Sequence, residues 1–271
     1  MNRFKIVLTA LISFVVIAPS LVSAGDLAIK GSTTILPIAQ KTAEAYMAEH
    51  PDVKISLSGG GSGNGIKAIV DGTADIGNAS RFIKPKEVDL AHSKGVYPVP
   101  FRIALDAIVP VVNKNNKITN LSMSQLKNIY LGKIKNWKEV GGTEGKIVVI
   151  SRDSSSGTFG VWKELVMKKT RVTPRALTVP SNGGIVQAVT TTPGAIGYVG
   201  LGYLNKEIKA VNVDGVQGTE ENTLNGSFPI TRGLFMFTKG WPRGDTMAFL
   251  SFILSKKGQQ LVKEAGSIPL F

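Results

Sequence analysis

Short β-branched runs alternate with longer helical stretches along almost the whole chain, and this alternation restricts the fold more than any other feature. Residues 26–30, 53–57, 103–113 and 146–151 read as strands. Residues 33–50, 66–71, 124–130 (opened by a serine N-cap), 159–168, 185–190 and 246–265 read as helices. Strand and helix in alternation imply an α/β protein with mainly parallel sheets flanked by helices. No tandem repeat, low-complexity tract or linker rich in Pro and Ser interrupts the pattern.

A single Rossmann-like domain would account for the alternation, but two lobes account for more. The runs at 103–113 and 230–237 are mostly apolar and far apart in sequence. Read as paired crossover strands, they divide the chain into one lobe of 25–103 plus 229–271 and a second of 104–228. Each lobe then has the usual size of a domain. Two crossovers form a hinge, and a hinge between lobes makes a cleft that closes.

The first residues address the compartment. Met1-Asn2-Arg3-Phe4-Lys5 is a basic head, an apolar stretch runs from Ile6 to Ile17, and Val22-Ser23-Ala24 offers the small residues of a cleavage site. This is the pattern of a secretory signal over 1–24, which places the mature protein in the periplasm or otherwise outside the cytoplasm. Pro19 leaves the apolar run short of a membrane span. No other run approaches that length, so a soluble monomer is expected. The chain has no cysteine, which excludes disulfides, thiolate metal sites and cysteine nucleophiles. The formal net charge of +13 raises the question of nucleic acid, but the lysines are scattered without a run or interleaved aromatics. A basic surface that attracts anions at long range fits better.

One kind of turn occurs three times. Gly31-Ser32-Thr33-Thr34, then Gly59-Gly60-Gly61-Ser62-Gly63, then Ser154-Ser155-Ser156-Gly157-Thr158 each follow a strand and open a helix. The first N–H groups of a helix lack internal partners, and the macrodipole places partial positive charge there. Glycine allows backbone to approach a ligand closely, and hydroxyls add donors, so such turns bind anions. Ordinary N-capping explains one of them; it explains three less well. Arg152 stands one residue past a strand and four before Ser156, where its fork can reach the same space.

These turns belong to a longer ordered set. Ala74-Asp75-Ile76-Gly77-Asn78-Ala79-Ser80-Arg81, Ile129-Tyr130-Leu131-Gly132-Lys133-Ile134 and Pro193-Gly194-Ala195-Ile196-Gly197-Tyr198 fall among them. In this order the motifs resemble those of the phosphate-binding proteins that serve ABC importers. The resemblance implies a type II periplasmic binding fold: two lobes, two mainly parallel sheets and two hinge crossover strands. It implies capture of inorganic phosphate between the lobes, delivery to a membrane permease, and neither cofactor nor metal. Carried over by motif position, the ligands would be Thr33, Thr34, Ser62, Ser80, Arg152, Ser156, Gly157 and Thr158. Well-studied members carry aspartate where Ser80 stands. That carboxylate accepts a hydrogen bond from protonated phosphate and repels fully ionised sulfate, so its absence leaves sulfate, molybdate and tungstate open as alternatives. A sensor role is open too, because transport and sensing need the same cleft. Arg81 would supply a second cation to the cleft or a salt bridge at its rim.

A serine-dependent phosphoester hydrolase is the rival from another class. It needs a base beside the nucleophile, and neither His50 nor His92 adjoins a candidate turn. Ser124-Gln125-Leu126-Lys127 has Ser-x-x-Lys spacing, but an N-cap accounts for its serine. Two isolated histidines do not make a metal site. Trp137, Trp162 and Trp241 read as packing residues, not as a sugar platform.

Overall fold

The computed structural model describes residues 25–271; the expected leader at 1–24 lies outside the described residues. The chain opens with β1 (Asp26–Gly31), α1 (Leu36–Glu49), β2 (Lys54–Gly60), α2 (Ser62–Val70), β3 (Ile76–Ala79) and α3 (Pro85–Ser93). The long strand β4 (Val99–Asn113) leads into β5 (Asn120–Leu121), α4 (Met123–Tyr130), β6 (Val148–Arg152), α5 (Gly157–Leu165), β7 (Leu177–Val179) and α6 (Asn182–Thr191). There follow β8 (Ala195–Gly200), β9 (Ile208–Ala210), β10 (Asn212–Val213) and α7 (Glu220–Leu224). Then β11 (Thr231–Thr238) returns, and α8 (Gly244–Ile253) and α9 (Lys256–Glu264) close the chain.

Nine strands form one continuous sheet in the order β2-β1-β3-β11-β4-β8-β6-β7, with β9 also on β4, and β5 and β10 pair in a small parallel sheet of their own. Parallel triplets lie at the two ends, β2-β1-β3 and β8-β6-β7. Between them, β11 is antiparallel to β3 and β4, and β4 is antiparallel to β8. These triplets are the two mainly parallel sheets of the expected fold, and β11 and β4 are its two crossover strands. The crossover strands hydrogen-bond on both sides, so they weld the triplets into one mixed sheet. β4 performs the switch: Val99 to Ala107 pair with β11, and Ile108 to Val112 pair with β8.

The apolar side chains follow this division. Two core clusters draw on residues between Leu27 and Ile103–Ala104 and again on Leu234 to Val262. Two others draw on Ala107 to Ile230, where Trp162 stacks on Tyr198 at 4.2 Å between ring centroids. Helix α1 shows how sequence makes an element here. Ile38, Ala39, Thr42, Ala43 and Tyr46 form one buried stripe, Pro37 sits in the first turn, and the helix stops before Pro51.

Several boundaries differ from expectation for physical reasons. The serine that caps α4 is Ser122, whose Oγ accepts from the Gln125 N–H at 3.0 Å, so Ser124 lies inside the first turn. The last helix is two helices. Gly258 packs so closely that a Cβ would lie 2.2 Å from the Phe252 carbonyl, and Ser255 caps the restart. Trp137 and Trp162 are buried, whereas Trp241 is exposed and lies against Phe101.

Candidate functional site

The three turns open helices at the C-terminal ends of parallel strands, where α/β folds hold anions. At the first, Thr33 and Thr34 precede α1. At the second, Ser62 begins α2. At the third, Ser156 caps α5, its Oγ accepting from the Phe159 N–H at 3.2 Å. Gly157 and Thr158 are the first residues of α5, so their N–H groups have no partner within the helix.

The fold brings these turns face to face. Thr34 Oγ1 lies 3.2 Å from Thr158 Oγ1. Ser62 Oγ lies 3.3 Å from Ser80 Oγ and accepts from the Ser80 N–H at 2.9 Å. Gly157 fits against that serine pair: a Cβ there would be 2.2 Å from Ser62 Oγ and 2.7 Å from Ser80 Oγ. Beside it, the Gly63 N–H donates to the Ser155 carbonyl at 2.9 Å, and Ser155 Oγ donates to the Gly60 carbonyl at 2.9 Å. Gly61, at φ +96°, has no room for a side chain next to Ser155. Thr33, Thr34, Ser62, Ser80, Arg152, Ser156 and Thr158 are all buried.

Arg152 ends β6 and is anchored without being saturated. Its Nε donates to the Val179 carbonyl at 3.2 Å and Nη2 to the Pro180 carbonyl at 2.8 Å. Among the described residues, its buried Nη1 has no hydrogen-bond partner. Burial pushes this guanidinium below its ordinary range and the nearby Arg232 adds to the shift, while Asp153 and Tyr198 oppose it. An arginine nonetheless stays charged. A buried cation with unpaired N–H groups is what an anion site requires. Tyr198 supports the strand end, accepting from the Arg152 N–H at 3.2 Å and lying 2.9 Å from Ser151 Oγ.

Arg81 is buried and already paired. Its guanidinium grips Glu87 through both Nη atoms, at 2.8 and 2.6 Å, and also reaches the Phe82 carbonyl. The histidines lie elsewhere: His50 is exposed and stacked on Tyr46, and His92 is exposed against Tyr97.

Sequence reasoning missed two residues. Arg232 on β11 forms a buried ion pair with Asp106 on β4, Nη2 to Oδ2 at 2.7 Å, and also touches Thr34 and Thr158. The signal was present, since an acid and a base inside two apolar crossover strands must pair if both are buried. Asn182 opens α6 and bonds both Thr33 and Thr34. The turn Pro180-Ser181-Asn182-Gly183 is a fourth strand–turn–helix unit, hidden because β7 has only three residues, two of them exposed.

The comparisons with known proteins bear on this geometry. Residues 18–257 match the PBP superfamily domain. The phosphate-binding protein PstS of Bacillus subtilis is 33% identical over 251 residues, covering 92% of this chain and 82% of its own. That of Pseudomonas aeruginosa is 32% identical over 269 residues, covering 91% and 83%. The chain belongs to the PstS family of phosphate-binding proteins. A solved structure, that of a putative phosphate ABC transporter substrate-binding protein with bound phosphate from Clostridium perfringens, superposes with a TM-score of 0.85 at 36% identity. It covers 91% of this chain and 100% of that one. An ABC-type phosphate transport receptor from Vibrio cholerae gives 0.73 at 32% identity, covering 89% and 99%. The architecture is therefore the two-lobed type II periplasmic binding fold of the PstS family. Among the described residues, no helix is long and apolar enough to cross a membrane.

Proposed function

We propose that this chain captures inorganic phosphate in a cleft between lobes 25–103 plus 229–271 and 104–228, and presents it to the permease of an ABC importer. The carrying observation is Arg152, a buried guanidinium whose Nη1 is unpaired among the helix-opening turns. Thr33, Ser62, Ser80, Ser156, Gly157 and Thr158 surround the anion with hydroxyl and backbone donors, and Thr34 backs them, its N–H held by Ser32 Oγ and its hydroxyl against Thr158. The solved relative from Clostridium perfringens, titled as holding phosphate, supports the ligand. The protein acts outside the cytoplasm as a soluble monomer, after removal of the leader at 1–24, and transforms nothing. No histidine adjoins the serines, which is the arrangement of a binder and not of a hydrolase.

A second oxyanion is favoured by one observation. Ser80 offers a hydroxyl where a carboxylate would reject sulfate, so sulfate binds too, more weakly than phosphate. Calorimetric titration with phosphate, sulfate, molybdate and tungstate tests both statements. Heat only with a metal oxyanion, or turnover of a phosphoester that Ser156→Ala abolishes, would replace this reading with another.

A further inference from the structure

Arg232 and Asn182 lie behind the hydroxyl wall, and counting their hydrogens shows what they do there. A guanidinium has five N–H donors. Arg232 has five bonds within the chain: Nε and Nη2 to Asp106 Oδ2, at 2.9 and 2.7 Å; Nη2 to Thr34 Oγ1, at 3.2 Å; and Nη1 to Thr158 Oγ1 and the Ser80 carbonyl, at 2.9 and 3.3 Å. None remains for a ligand. Asp106 is held in turn by the Leu201 N–H at 2.9 Å, so the fork cannot swing. Asn182 is equally occupied. Its Oδ1 accepts from the Gly200 N–H at 3.2 Å, which fixes the amide orientation. Its Nδ2 donates to Thr33 Oγ1 at 3.2 Å and Thr34 Oγ1 at 3.0 Å, and its backbone N–H also reaches Thr33 Oγ1, at 3.4 Å.

A threonine hydroxyl has one hydrogen and two lone pairs. Asn182 and Arg232 fill both lone pairs of Thr34, so in the 3.2 Å contact with Thr158 it is Thr34 that donates. Thr158 then accepts from Arg232 and Thr34, and its own hydrogen has no acceptor in the cluster. Thr33 accepts twice from Asn182, and its hydrogen is likewise left over.

We infer that Arg232, clamped by Asp106, and Asn182 are positioning residues that lock Thr33 and Thr158 as obligatory donors. This wall of the cleft then takes only unprotonated anion oxygens. The inference rests on the proposed phosphate site and deepens it. The proton of hydrogen phosphate must turn away from the threonines, toward the Ser62–Ser80 side, while a fully ionised oxyanion fits in any orientation.

Because Arg232 acts through Thr158, the test is a double-mutant cycle, read by calorimetry with inorganic phosphate. Arg232→Lys keeps the charge beside Asp106 but loses the fork, and should weaken phosphate binding about tenfold, as expected for loss of an ordered charge-assisted network. In a chain already carrying Thr158→Val, the same change should weaken binding less than about threefold. A merely structural Arg232 would give the same loss in both backgrounds, and that result, or no loss in either, overturns the inference. If Arg232→Lys does not melt cooperatively, Arg232→Met combined with Asp106→Asn removes the ion pair as a unit, keeps an acceptor for Leu201, and is judged by the same comparison. Absence of phosphate binding by the unmodified chain would instead overturn the functional reading itself.

Discussion

Two buried arginines at one site have opposite hydrogen-bond balances, and that difference assigns their roles. Arg152 keeps an unpaired Nη1, whereas every N–H of Arg232 is engaged. Arg152→Ala should therefore weaken phosphate binding by about two orders of magnitude, since hydrogen bonds to charged groups contribute about 1.5–3 kcal/mol each and 1.4 kcal/mol is a factor of ten. Arg152→Lys should recover only part, because an ammonium lacks the planar fork. Unchanged affinity in the alanine variant would mean that the anion sits elsewhere. Ser80→Asp should act on selectivity instead. Arg81 is already paired with the Glu87 carboxylate and every N–H of Arg232 is engaged, so neither offers an unpaired cation to neutralise the new carboxylate. Sulfate, with no proton to donate, should lose far more affinity than phosphate; equal losses in parallel titrations would refute this. The sequence singled out Arg152 by its nearness to a donor-rich turn, and the structure places it there, buried. For Arg232 the signal was only an acid and a base inside apolar strands, and its partner Asp106 stands 126 residues away, joined to it by the sheet register alone.

At the scale of elements, the site is made by helix starts that meet across the cleft, and its tolerances follow from how closely they approach. Gly157→Ala would put a methyl group where the Ser62 and Ser80 hydroxyls already lie, at 2.2 and 2.7 Å. The helix itself should not suffer, as alanine favours a helix over glycine. Near-wild-type melting with binding reduced at least tenfold is the expected outcome, and an alanine variant that binds normally would show that the turns do not approach this closely. Strand β8 places a second, titratable constraint on the end of β6 through Tyr198. Burial pushes the Tyr198 hydroxyl up to about 12, partly offset by its bonds to Ser151 and the Arg152 N–H. A phenol whose pKa is higher folded than unfolded stabilises the fold fully below the unfolded value near 10, and that contribution is lost as pH rises from there to about 12. Thermal melts should thus fall steeply above about pH 10, and less steeply in Tyr198→Phe. The long, regular elements and the three turns could be read from residue pattern. The short β7, the buried β3 and β8, and the break between α8 and α9 could not, because contacts distant in sequence decide them.

For the whole molecule, the contacts across the cleft argue for a protein that closes on its ligand. Thr34 with Thr158, Asn182 with Thr33, Gly63 with Ser155 and Gly60 with Ser155 all join segments on opposite sides of the β4–β11 crossover. Asp106 and Arg232 are paired in register within that crossover, one residue before β4 gives up β11 for β8. The ion pair therefore lies beside the place where β4 passes from one triplet to the other. These cross-cleft bonds are few, largely uncharged and exchangeable for water, so each contributes only about 1 kcal/mol. They also bring Arg152 into a buried space with an unmatched charge, which disfavours closure without an anion. With the proposed ligand set, an anion held by Arg152 and Ser156 on one side and Thr33 and Ser62 on the other would bind the closed form far better than the open one. Turning an open population of 99:1 into a closed one requires about a 10⁴-fold preference, which two charge-assisted bonds and the surrounding donors can supply. Small-angle scattering should then show a smaller radius of gyration at saturating phosphate, and Arg152→Ala should remove the change even at phosphate concentrations that still fill the site. A profile that is already compact and insensitive to phosphate would mean that the crossover is a rigid join and that the two lobes do not move.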